Sequence, residues 1–365
     1  EVRSEGGGPK IYTVAPTPAW LHTDFPVGVA TEKILLRFNL EDIDTGTYDH
    51  QMVISSDDAA NRETSVRCSL SVASWRRRFE LNDYTIAALG FSSRDTGWAA
   101  GHLRVFDGQQ ASLFSTVNGG ETWRSMTLPL MGALSDLTIT NDGRLWMPAD
   151  SGRLLRKSSG SLEIITLPTR ERLTGIAFSS DDTAWITAAD GSLYRSENRG
   201  DTWVQQPSPA TNALNAVAFA DSRTGWLIGA DGVVAATADG GENWQADTPG
   251  PEVELRHITI SPSGSVWVVG SAGTILYRNW VGIKWIQIPS GVTEDLRKIA
   301  FAGPENGWIV GSNGTILHTN DGGLSWHRQV SGTPQLLLAL YPVDSARVFV
   351  AGINAQILDT YCGGE

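Results

Sequence analysis

The chain has 365 residues, of which 41% are hydrophobic and 19% charged, so it can bury a core and is not a disordered polyelectrolyte. Its 28 basic and 40 acidic residues give a net charge of −12, the wrong sign for wrapping a phosphate backbone, and nucleic acid is not an expected partner. No apolar run approaches the ~18 residues of a spanning helix, so no direct membrane span is expected, and the 39 Gly and 14 Trp point to a repeat rich in turns.

Residues 1–65 follow no period. They open on Gly6-Gly7-Gly8 and hold short apolar segments, Ile34–Phe38 and Gln51–Ile54, between polar turns. They read as an extension or small β module, with a propeller domain expected from residue 66 to 365. Beyond this segment the chain aligns on Trp98, Trp146, Trp185, Trp226, Trp267 and Trp308, with Phe349 in the seventh place and steps of 48, 39, 41, 41, 41 and 41. A second series, Trp203, Trp244, Trp285 and Trp326, lies 18 residues after its anchors; Trp123 follows Trp98 by 25 because the first unit is longer. Seven residues before each anchor end short β-branched segments such as Leu173–Phe178 and Leu296–Phe301, which read as inner strands.

Asp190-Gly191, Asp231-Gly232 and Asn313-Gly314 follow each unit's second strand as two-residue hairpin signals, because both central positions favour φ > 0. Four antiparallel strands per unit, repeated seven times, predict an all-β seven-bladed propeller. A run of unrelated β-sandwiches would not hold so constant a step.

The seventh unit ends in Thr360–Glu365, before its second-series Trp, so it lacks an outer strand. Residues 74–81, Ser-Trp-Arg-Arg-Arg-Phe-Glu-Leu, resemble the outer strands around Trp123 and Trp326 and are expected to close the last blade. Arg76, Arg77 and Arg78 then read as a charge run on a solvated edge. Cys68 precedes this strand and Cys362 lies where the missing strand would start, so either a disulfide staples the closure or the two are unrelated thiols.

The second-series Trp closes a Ser/Thr-x-Asp/Asn-x-Gly-x-x-Trp motif at Thr116–Trp123, Ser196–Trp203, Thr237–Trp244 and Thr319–Trp326. It looks like the Asp-box of sialidases, sortilin-type receptors and other propellers. Its side chains, Asn118, Asn198, Asp239 and Asp321, are expected to bond the turn backbone while Trp123, Trp203, Trp244 and Trp326 pack beneath. Ser159 and Ile164, Trp280, and Cys362 break the motif in the second, fifth and seventh units. The full repeat, clearest in Gly225–Trp244 and Gly307–Trp326, resembles the photosystem II stability and assembly factor family and its bacterial relatives over about residues 74–365. The resemblance implies a non-catalytic lumenal or periplasmic propeller that holds a partner polypeptide during assembly of a membrane-protein complex.

One residue past the leading apolar position of each inner strand the units carry Ala87, Ser135, Thr174, Asn215, Arg256, Arg297 and Leu338, expected at the channel mouth opposite the Asp-box face. Arg256 and Arg297, with Lys298, Arg170 and Arg172 nearby, form a candidate site for an acidic partner segment. Alternatively these cations pair with Glu252, Glu254, Glu294 and Asp295. Phe106, at the tip of the first unit's long hairpin, either anchors a partner or folds back.

No Phe/Tyr-Arg-Ile-Pro segment, Gly-x-Ser-x-Gly elbow or phosphate-cradling loop is present, and six scattered His and two Cys offer no metal-ligand spacing, so neither enzyme, metal nor cofactor is expected. Paired carboxylates for glycoside hydrolysis are set by spatial, not sequence, separation, which keeps a secreted carbohydrate-binding or hydrolysing Asp-box propeller as the alternative. A start at Glu1 without Met and the low Lys content match an exported chain of the periplasm, thylakoid lumen or extracellular space.

Overall fold

The computed structural model describes residues 11–19, 21–23, 27–29, 36–38, 46–56, 63–72, 75–247, 251–279 and 284–360. These fall into two compact units that divide between Ser74 and Trp75. The division lies later than residue 65 because Glu63–Val72 is a strand paired along its length with Gly46–Ser56, which ties it to the N-terminal unit. That unit holds a four-stranded antiparallel sheet and a separate pair, Leu21–Thr23 with Leu36–Phe38. Its core gathers Tyr12, Leu21, Met52, Ile54 and Cys68.

The second unit is seven four-stranded antiparallel sheets in chain order, the blades of a propeller. In blade 3, Leu173–Phe178 is innermost, followed by Ala184–Ala188, Leu193–Ser196 and Val204–Gln206. All residues of the second strand are buried there, as they are in blades 4 to 7, because sheets cover both of its faces. The expected two-residue hairpins are longer: Ala230–Gly232 and Ser312–Gly314 are 3-10 turns, with Asp231 and Asn313 both at φ 54°. In the corresponding blade 3 turn only Gly191 has positive φ.

The period of the first aromatic series is explained by packing between blades. Trp146, Trp185, Trp267, Trp308 and Phe349 are at most 1% exposed. Each such ring removes about 200 Å² from water, worth up to roughly 5 kcal/mol at 25 cal/mol per Å². The second glycine of an Asp-box sits flat on the ring of the preceding blade: Gly200 on Trp146, Gly241 on Trp185, Gly323 on Trp267, and Gly120 on Phe349. Blade 2 has no Asp-box and Trp98 of blade 1 is only half-buried, yet Trp226 and Trp308, whose following blades also lack the box, are at most 5% exposed.

Blade 7 takes its outer strand from Arg76–Phe79, antiparallel to Ile357–Thr360. Its Phe349, Ala351 and Ile357 share one core with Ile86, Phe91 and Phe114 of blade 1. The charge run of the closing strand is solvated only in part. Asp359, with no side-chain exposure, bonds Arg76 Nε at 3.2 Å and Arg78 Nε at 2.9 Å, while Arg77 turns out to Glu80. A buried carboxylate needs such donors, and the alternation of the strand supplies them two residues apart. Of the two cysteines, Cys68 is a free thiol buried in the N-terminal unit, and Cys362 lies outside the described residues.

Candidate partner-binding channel

The inner strands surround a cavity of about 740 Å³, lined by all seven of the positions read from the sequence, Ala87, Ser135, Thr174, Asn215, Arg256, Arg297 and Leu338. A shared backbone irregularity puts them there. In six blades the register shifts at this residue, as between Leu255 and His257 or Leu296 and Lys298. A bulge leaves one residue outside the ladder and re-aims its side chain.

Three of these side chains stitch neighbouring blades. Thr174 Oγ1 donates to the Leu214 carbonyl at 2.6 Å and Asn215 Nδ2 to that of Leu255 at 2.7 Å; Ser135 bonds the Leu173 carbonyl in the same way. Arg256 crosses the next seam by charge. Its Nη2 lies 3.1 Å from Asp295 Oδ2, 2.7 Å from Glu254 Oε2 and 3.2 Å from Ser271 Oγ. Arg297 Nη2 meets Asp295 at 3.5 Å, and Lys298 Nζ reaches across the channel to Asp136 Oδ1 at 3.0 Å.

Pairing with Glu254 and Asp295 is therefore real, whereas Glu294 turns to Arg328 at 3.1 Å. It is also incomplete, because the Nε atoms of Arg256 and Arg297 are buried with no hydrogen-bond partner among the described residues. Burial, then the charge of Arg256, lowers the pKa of Arg297 against the pull of Asp295 and Glu254. Four cations, Arg172, Arg256, Arg297 and Lys298, thus face three carboxylates in a strongly acidic chain. Anions meet unspent donor capacity there.

Arg170 and Phe106 do not join this group. Arg170 is exposed outside the channel, and Phe106 stands fully exposed on the turn between Gly97–Val105 and Gly108–Thr116. The hairpin is braced on both sides, by Arg104 N–H to the Asp83 carbonyl at 2.8 Å and Gly132 N–H to that of Gln109 at 2.6 Å, so Phe106 does not fold back.

Sequence reasoning missed His102, His257, Asp136 and Tyr341, which also line the channel. His257 is hidden by the bulge, since strict alternation would send Arg256 and His257 to opposite faces. Burial, reinforced by Lys298, holds the imidazole of His257 well below the ordinary histidine range, and its Nδ1 accepts the Ile299 N–H at 3.4 Å.

On the opposite face the Asp-box residues bond their turns. The i+4 N–H groups of Thr122, Thr202, Asn243 and Ser325 donate to Asn118, Asn198, Asp239 and Asp321 at 2.9–3.0 Å. Trp123 and Trp203 each donate Nε1–H to a box glycine carbonyl at 3.1 Å, while Trp244 and Trp326 pack edge-on against Trp185 and Trp267. Bonds to the Asn243 backbone and side chain hold Asp239 at about 2; against desolvation, Ser325 and Thr319 hold Asp321 at about 2. Among the described residues no group of His, Cys, Asp or Glu is arranged to hold a metal ion.

A family model described as photosynthesis system II assembly factor YCF48 matches residues 207–293 and 282–365. No curated protein sequence matches the chain. Among solved structures, YCF48 bound to D1 peptide aligns with a TM-score of 0.65 and 19% identity, over 80% of this chain and 96% of that one. YCF48 from Cyanidioschyzon merolae aligns at 0.63 and 17%, over 80% and 99%. The GH74 xyloglucanase from Xanthomonas campestris aligns at 0.63 and 15%, over 79% of this chain and 53% of its own length. Likenesses at these identities show the fold. By its repeats and architecture the chain is similar to the photosystem II assembly factor-like propellers.

Proposed function

We propose that the propeller is a non-enzymatic scaffold that holds a segment of another polypeptide at the cationic mouth of its channel, as an assembly factor or subunit of a larger membrane-associated complex. The observation that carries this reading is the pair Arg256 and Arg297, whose half-satisfied guanidinium groups lie side by side in a chain of charge −12. A carboxylate entering there adds an acceptor beside those that Glu254, Asp295 and Ser271 already supply. A YCF48 structure with a bound D1 peptide shows that a propeller of this architecture takes a polypeptide segment. The reading places the protein in an exported compartment, attached to the membrane through its partner; no helix among the described residues is long and apolar enough to cross one.

The test is affinity purification from native membranes and soluble extract, followed by mass spectrometry, with wild type, the Arg256→Glu/Arg297→Glu double variant and Arg170→Glu. A stoichiometric polypeptide kept by wild type and Arg170→Glu but lost by the double variant supports the scaffold. A partner held equally by all three, or none at all, refutes it. Retention on neutral glycans without any polypeptide partner would favour the carbohydrate alternative.

A further inference from the structure

On the Asp-box face, a depression of about 450 Å³ opens between blades 2 and 3. That size falls within the roughly 300–1,000 Å³ of small-molecule sites. Two departures from the repeat build it. The inner strand of blade 2 is cut to Thr138–Ile139, and the turn after it, which includes Asn141, Asp142 and Arg144, forms one wall. The other wall carries Arg199, at φ 61°, where the sister Asp-boxes place Gly119, Gly240 and Gly322 at φ 64°, 80° and 75°.

A side chain in that conformation costs about 1–2 kcal/mol, and such outliers concentrate at functional sites. Arg199 is fixed by Asp182 Oδ1, 2.6 Å from its Nε, yet its side chain remains 61% exposed beside the cavity. Arg144 Nε lies 3.1 Å from Asp142 Oδ2, and Asn141 Nδ2 donates to Asp181 Oδ1 at 3.2 Å. Phe178, half-buried, supplies an aromatic wall.

Asp142 and Asp181 in the lining, with Asp182 on Arg199 beside it, outnumber the two guanidinium groups, so the cavity does not concentrate anions. What it displays is a set of planar groups, each with two polar atoms side by side: carboxylates that accept, guanidinium groups that donate and an amide that does both. Adjacent hydroxyls on a ring present the complementary pair, and the C–H face of such a ring packs on an aromatic. We propose that this cavity binds a neutral saccharide unit, with Arg199, Asp181 and Asn141 taking its hydroxyls and Phe178 its apolar face. The site is separate from the polypeptide-binding channel and does not depend on that reading.

Saturation-transfer NMR with glucose, xylose, galactose and cellobiose tests it on the whole chain, using wild type, Arg199→Gly, Asp181→Ala and the Arg256→Glu/Arg297→Glu variant. Arg199→Gly restores the residue of the sister boxes, so its thermal midpoint should be unchanged or raised. At least one saccharide is expected to bind wild type and the channel variant alike, and to weaken about 10-fold or more on loss of one charged hydrogen bond in Arg199→Gly and in Asp181→Ala. Absence of binding by all four sugars overturns the proposal. So does equal binding by wild type, Arg199→Gly and Asp181→Ala, or loss of binding in the channel variant.

Discussion

Replacing Asp359 by Ala tests the ionic clamp that holds the closing strand. The carboxylate is fully enclosed and bonds both oxygens of its group to Arg78 Nε at 2.9 and 3.0 Å, with Arg76 Nε at 3.2 Å and Arg347 Nη2 at 3.8 Å. Removing it takes from Arg78, whose side chain is only 18% exposed, its bonds to both carboxylate oxygens; Arg347 keeps its bond to the Gly119 carbonyl, and Arg76, at 50%, can swing into water. Breaking a buried pair in this way costs about 3–5 kcal/mol, and the half-exposed Arg76 puts the value towards the lower end. For a unit of this size that is a fall of roughly 6–10 °C in thermal midpoint. Arg77→Ala, which loses only an exposed pair with Glu80, should cost no more than about 0.5 kcal/mol. Thermal unfolding and limited proteolysis between residues 73 and 83 provide the assay. A loss below about 1 kcal/mol for Asp359→Ala, or equal losses for the two variants, would refute the clamp.

Two further outcomes follow from the same geometry. Asp239 and Asp321 titrate at about 2 when folded, below their ordinary 3.8, so the unfolded chain binds protons first as pH falls. Their stabilisation is complete above about pH 4 and lost on descent towards pH 2, and Asp321→Asn should flatten that part of the denaturation profile, since Asn118 makes the same turn bond uncharged. Gly200→Ala drives a methyl into the Trp146 ring and should cost about 2–3 kcal/mol, whereas Gly143→Ala, also at positive φ but facing open space, should cost about 1; equal losses in urea denaturation would remove the inter-blade packing role.

The fold was legible because each blade buries one ring against the next, so the period of Trp146 to Phe349 is imposed at every unit and survives the loss of three Asp-boxes. The closing strand was equally legible, since residues 74–81 resemble the outer strands around Trp123 and Trp326. The channel positions could be named by repeat arithmetic, Arg256 and Arg297 among them. What the sequence could not decide was how far each charge is spent. Arg76 and Arg78 read as solvated because their partner, Asp359, lies more than 280 residues away and its burial is a property of the closed blade. The order of residues left open whether Cys68 and Cys362 bridge the closure or are unrelated thiols; it is pairing with Gly46–Ser56 that carries Cys68 into the core of the N-terminal unit. Arg199 fills a position that the Asp-box motif leaves unspecified. Only its positive φ and the shortened strand of the preceding blade show that it borders a cavity. Periodicity records what every blade must do; ion pairs, bulges and cavities arise where particular blades meet, and those meetings exist only in three dimensions.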